Sequence, residues 1–112
     1  MRDREFDIWL THVYKTAQGH PLDRRSIDAR ISNCRHVEEY LGDLDAHWRL
    51  DRMEGLLRKF VYDRNEEFRG IAPRHGIPID GDQYNGTATL KSALTLYGKF
   101  CRACPTTPGS RT

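Results

Sequence analysis

Residues 23–42 read DRRSIDARISNCRHVEEYLG and contain the longest regular hydrophobic pattern of the chain. Their apolar positions are separated by three or four residues: Ile27, Ile31, Cys34, Val37 and Leu41. This spacing predicts a helix with one apolar stripe. Asp23 or Ser26 is suited to cap the amino end of the helix, and Gly42 is suited to end it. A helix of this kind needs other elements to cover its stripe.

Three more stretches carry the same type of stripe, at residues 5–17, at residues 46–64 with Asp45 as cap, and from Thr87 or Thr89 to about residue 101. Their apolar positions are Phe6, Trp9, Leu10 and Val13; Leu50, Met53, Leu56, Leu57, Phe60 and Val61; and Leu90, Ala93, Leu94, Tyr97, Phe100 and Cys101.

Glycines and prolines interrupt residues 65–86, which predicts a long connection. Within it we expect Ile77 and Ile79 to face the core. The predicted fold is all-α, a four-helix bundle with a long loop before the last helix. We expect one domain over residues 1–104 and a flexible tail over residues 105–112.

Composition narrows the class of protein. The 112 residues include 18 basic and 16 acidic side chains and have a formal net charge of +2. Nearly balanced charge favours a folded chain over a disordered one. No run approaches the roughly 18 apolar residues of a membrane span, and residues 1–5 do not lead into a signal peptide. We therefore expect a cytoplasmic protein without membrane association, whose three cysteines are reduced.

Motifs for catalysis or metal binding are incomplete. Cys101 and Cys104 have the spacing of half a zinc site or of a redox dithiol, but the sequence has no second pair, and a frayed helix end is the favoured interpretation. Asp80 and Asp82 suggest a cation loop that lacks its closing glutamate. No two histidines are four residues apart, and neither a nucleophile elbow nor a phosphate loop is present. We expect no enzymatic activity and no cofactor or bound metal, with a small metal-dependent nuclease as a remaining alternative.

Positive charge is concentrated towards the end of the chain. Residues 83–112 contain four basic side chains and no acidic one. A cationic helix whose first turn holds Thr87 and Thr89 can bind phosphate through hydroxyls and backbone amides. An ordinary solvated helix face is the alternative. On the second helix, Arg24, Arg25 and Arg30 are offset by carboxylates, and ion pairs such as Arg24 with Asp28 explain much of that pattern without a ligand.

The last helix also resembles a known family. Residues 88–100, ATLKSALTLYGKF, resemble the last helix of the core-binding, SAM-like domain of tyrosine recombinases and phage integrases. Residues 26–31, SIDARI, and 37–41, VEEYL, are similar to an earlier helix of that domain. The resemblance covers about residues 5–102 and implies a four-helix domain that straddles one face of duplex DNA. The family's catalytic Arg, His and Tyr set has no counterpart here, so strand cleavage is not implied.

A second resemblance is to an uncharacterised helical module of bacterial proteins that is sometimes joined to restriction-type nucleases. It is carried by residues 31–38 (ISNCRHVE), 42–45 (GDLD) and 84–89 (YNGTAT). This resemblance implies no particular biochemical role.

These observations predict a non-catalytic DNA-binding module that contacts duplex phosphates through its second and last helices. The predicted contact residues are Arg24, Arg25, Arg30, Thr87, Thr89, Lys91, Lys99 and Arg102. If four to six phosphates are engaged, affinity falls by roughly two to four decades for each tenfold rise in salt. The alternative is a protein-interaction or dimerisation adaptor, because Trp48, Phe68 and Ile71 lie outside the four stripes and would form an exposed apolar patch.

Overall fold

The computed structural model describes residues 1–105, which fold into α-helices joined by turns and irregular segments. The helices are α1 (Asp3–His12), α2 (Arg24–Leu41), α3 (Leu44–Asp51), α4 (Glu54–Arg58), α5 (Arg64–Phe68) and α6 (Gln83–Ala103). The all-α prediction is confirmed. None of these helices has the length and apolarity needed to cross a membrane. Apart from residue 105, the predicted tail lies outside the described residues.

The two long helices form the centre of the molecule. α2 lies along α6, and α1 packs against both. An aromatic cluster fills the space between α1 and α6, with the Phe6 ring 5.0 Å from that of Tyr97 and 5.3 Å from that of Phe100. The Tyr97 hydroxyl accepts a hydrogen bond from the Arg2 amide and donates one to Asp45. α3 and α1 are therefore both tied to α6.

α2 begins and ends where the sequence predicted, and a capping interaction defines each end. The Asp23 carboxylate accepts a hydrogen bond from the Ser26 amide at 2.7 Å and caps the first turn. Gly42 follows the last turn with a φ of 93°, a conformation that favours glycine. α1 is shorter than predicted, because it ends at His12 and leaves Val13 exposed to solvent.

The predicted single helix over residues 46–64 is wrong. Arg52 and Met53 both adopt left-handed backbone conformations, with φ of 59° and 66°, and divide the stretch into α3 and α4. The break turns Met53 fully into the core, and Leu50 and Val61 remain exposed. Burial of the Met53 side chain contributes about 1.5–3 kcal/mol, which offsets part of the backbone strain of about 1–3 kcal/mol at each of the two residues.

Two further boundaries differ from the prediction. Asp43, rather than Asp45, caps α3 by accepting a hydrogen bond from the Asp45 amide. The connection before the last helix is shorter than expected, because it contains α5 and because α6 begins at Gln83. Its centre packs on the core through Ile77, which is buried. Ile79 is half-buried and lies beside Gly86 of α6.

Candidate nucleic-acid interface

A groove runs between α2 and α6 on the surface of the bundle. We call it the α2/α6 groove and divide it into two adjoining hollows. The polar hollow has a volume of about 430 Å³, and its lining residues are Ser26, Ala29, Arg30, Asn33, Asn85, Ala88, Thr89 and Ser92. The basic hollow has a volume of about 320 Å³, and its lining residues are Tyr14, Arg30, Lys91, Ser92, Thr95, Leu96 and Lys99. Arg30 and Ser92 line both hollows, so the two hollows adjoin each other along α6.

Helical periodicity explains how the groove forms. On α2 its lining residues stand at positions 26, 29, 30 and 33, beside the buried line of Ile27, Cys34 and Val37. On α6 they begin at positions 85, 88, 89 and 92, with the same spacing of three and four. Small side chains at most of these positions leave a hollow where the helices meet. Since α6 rises about 1.5 Å per residue, the groove follows it for about 21 Å from position 85 to position 99.

The charged side chains that line the groove are basic. Arg30 of α2 and Lys91 and Lys99 of α6 line it, and none of the residues that line it in the described chain is acidic. The ion pairs found within residues 1–105 involve none of these three cations. Their positive charge is therefore available to an anionic ligand.

Three of the predicted contact cations do not line the groove. Arg24 is held by two carboxylates, with its guanidinium 2.8 Å from Asp7 and 2.7 Å from Asp28, and this pairing raises its pKa. Arg25 is exposed on α2 but does not line either hollow. Arg102 lies over the Trp48 ring at 5.7 Å, on the part of α6 that faces α3.

The amino end of α6 is also unavailable to phosphate. Asp82, rather than Thr87, caps the helix and accepts a hydrogen bond from the Asn85 amide. Glu67 of α5 accepts one from the Tyr84 amide. Two carboxylates therefore occupy the site that an anion would take. Thr89 lies in the polar hollow, where its hydroxyl donates to the carbonyl oxygen of Asn85.

The Thr87 side chain is buried in the protein and does not face solvent. It is 2% exposed, and its hydroxyl lies 2.9 Å from Nε2 of His75, which is 4% exposed. Nδ1 of His75 accepts a hydrogen bond from the Ile77 amide, so the proton of the neutral ring is on Nε2 and is donated to Thr87. The imidazole stacks on the Phe60 ring at 4.7 Å. This arrangement fastens the connection before α6 to the helix.

Burial lowers the pKa of His75 below its ordinary value of 6.5. The stability supplied by neutral His75 is complete above that value and is lost as the pH falls through the lowered pKa of the folded state. We expect urea unfolding to show a smaller free energy of unfolding below pH 6.5 than above it. His75→Gln should remove this part of the pH dependence, whereas His20→Gln, at an exposed position, should retain it. An identical pH dependence in His75→Gln and the wild type would contradict the assignment.

Among the candidate metal ligands, Asp82 is engaged by other side chains and Cys101 is buried. Within residues 1–105, no three side chains of His, Cys, Asp or Glu come together as a metal site would require. Asp82 is engaged with Asn85 and, at 3.2 Å, with Arg64. Cys101 is buried, and burial raises the pKa of its thiol to about 11, which disfavours a reactive thiolate.

Tyr14, Asn33 and Thr95 line the groove and were not predicted as contact residues. The groove-lining residues of α2 and α6 could have been predicted from the sequence, because each helix has a second face of small and polar side chains beside its apolar stripe. Tyr14 follows α1 and carries no such signal. The predicted adaptor patch is divided, because Trp48 is half-buried and packs on the core, whereas Phe68 is 90% exposed.

No protein-family profile, curated protein or solved structure matches this chain.

Proposed function

We propose that this protein is a non-catalytic DNA-binding module whose α2/α6 groove receives the phosphate backbone. The observation that carries the proposal is the convergence of Arg30, Lys91 and Lys99, from two different helices, on one groove without an acidic lining residue. Contacts between cations and phosphates supply most of the sequence-independent affinity for nucleic acid. The hydroxyls of Ser92 and Thr95 can add neutral hydrogen bonds to phosphate oxygens, whereas the proton of the Thr89 hydroxyl is already donated to the Asn85 carbonyl.

The number of groove cations sets the expected salt dependence. Three phosphate contacts give a fall of about two to three decades in affinity for each tenfold rise in salt. This is the lower part of the range expected from the sequence, because Arg24, Arg25 and Arg102 do not contribute to the groove.

Fluorescence anisotropy of a labelled oligonucleotide over a series of salt concentrations tests the proposal. Arg30→Gln, Lys91→Gln and Lys99→Gln should each weaken binding at low salt and reduce the slope by about 0.7–0.9. The triple variant should lose nearly all of its salt dependence.

Lys59→Gln is the matched control. It removes the same charge from an exposed lysine that does not line the groove, and we expect it to leave the slope unchanged. A wild-type protein with no measurable affinity at low salt would refute the proposal. So would a slope that responds to Lys59→Gln as strongly as to the groove variants.

Exposed apolar side chains support the adaptor as a second candidate. Phe68 is 90% exposed, and Ile71 and Val61 are 39% and 54% exposed. The Tyr62 hydroxyl donates to the Ile71 carbonyl, which brings these two neighbouring segments together. Light scattering separates the candidates: a dimer that Phe68→Ser dissociates, in a protein without DNA affinity, would favour the adaptor.

A further inference from the structure

We infer that the α2/α6 groove takes a single-stranded segment of nucleic acid, with one base placed against Tyr14. This inference rests on the proposed function and specifies its ligand. Three features carry it: the concave shape of the groove, the width of the helix pair that forms it, and the aromatic ring in its basic hollow.

The width of the helix pair excludes one mode of duplex binding, the joint insertion of both helices into the major groove. Each helix with its side chains is about 10–12 Å across, and packed helices have axes about 8–10 Å apart. The pair therefore measures about 20 Å across, whereas the major groove of B-DNA is about 12 Å wide. α2 and α6 cannot enter that groove together. Their concave surface instead suits a ligand that lies between them.

Tyr14 distinguishes a single strand from the backbone of a duplex. Its half-buried ring lines the basic hollow together with Arg30 and Lys99. The ring is supported by Trp9, whose centroid is 5.5 Å away. A supported aromatic beside cations is the arrangement on which single-stranded nucleic acids stack their bases. The bases of a duplex are already stacked on each other, so a duplex backbone in the groove would leave Tyr14 without a base.

The inference is tested by anisotropy with an unstructured DNA oligonucleotide and a duplex of the same length, at one salt concentration. We expect the single strand to bind the wild-type protein at least about tenfold more tightly than the duplex. Tyr14→Leu should weaken binding of the single strand by about 5- to 150-fold, the loss of one stacked base, and should leave any duplex affinity unchanged. Tyr14→Phe keeps the ring and should retain the affinity for the single strand.

Tyr40→Leu is the matched control, because Tyr40 is 49% exposed and does not line the groove. Thermal unfolding followed by circular dichroism confirms that each variant is folded before it is titrated. Tighter binding of the duplex, or an equal effect of Tyr14→Leu on both ligands, would overturn the inference and leave the proposed function in place. Absence of binding to either ligand would overturn both.

Discussion

Thr87→Val is expected to lower the free energy of unfolding by about 1–3 kcal/mol without changing the DNA affinity of the folded protein. Valine has nearly the shape of threonine, so the substitution removes the hydroxyl and leaves the packing in place. The Nε2 proton of His75 then has no acceptor, although the ring is buried. An unpaired buried donor costs its full desolvation penalty. Urea unfolding followed by circular dichroism measures the loss.

Thr89→Val provides the matched control on the same helix. The Thr89 hydroxyl bonds to the carbonyl of Asn85 at an exposed position, where its removal should cost less than about 0.5 kcal/mol. Sequence reasoning assigned the two threonines the same phosphate-binding role, whereas the structure separates them by burial. Equal stability of the two variants, or a loss of DNA affinity in Thr87→Val alone, would contradict the structural role of Thr87.

Elements with local signals could be predicted from the sequence, and those that depend on distant residues could not. α2 has its cap, its stripe and its terminal glycine within one stretch of chain, and its predicted limits agree with the structure. The division between α3 and α4 has no such signal. Met53 fits the periodic pattern of a continuous helix, yet it adopts a left-handed conformation in which its side chain is fully buried.

The same distinction applies to the candidate interface. Lys91 and Lys99 are eight residues apart on α6, so a helical prediction alone puts them on one side of the helix. The position of Arg30 beside them depends on the packing of α2 on α6. The guanidinium of Arg24 forms an ion pair with Asp7, which lies seventeen residues earlier on α1. An ion pair between residues so far apart in the sequence depends on the tertiary structure, and the sequence pattern of α2 does not predict it.

Gly86→Ala is expected to destabilise the protein by about 1–3 kcal/mol, although the substitution lies inside a helix. Alanine in place of glycine normally stabilises a helix by about 1 kcal/mol. Here the new Cβ would lie 2.4 Å from Cγ2 and 3.1 Å from Cδ1 of Ile79. Cγ2 can move away only if χ1 of this β-branched side chain leaves its preferred rotamer or if the backbone shifts, and Cβ of Ile79 would itself lie 3.4 Å from the new methyl group. Either change costs free energy, and this cost outweighs the gain in helix propensity.

Gly98→Ala is the matched control, since its new Cβ would meet only Cζ3 of Trp48, at 3.8 Å. That distance is an ordinary contact, so this variant should be more stable than the wild type by about 0.5–1 kcal/mol. Ile79→Ala combined with Gly86→Ala should recover much of the stability lost in Gly86→Ala, because the second substitution removes the overlapping methyl groups. Urea unfolding of the wild type, Ile79→Ala, Gly86→Ala and the double variant forms a double-mutant cycle for positions 79 and 86. If Gly86→Ala stabilised the protein as Gly98→Ala does, the close packing of Ile79 on α6 would be wrong.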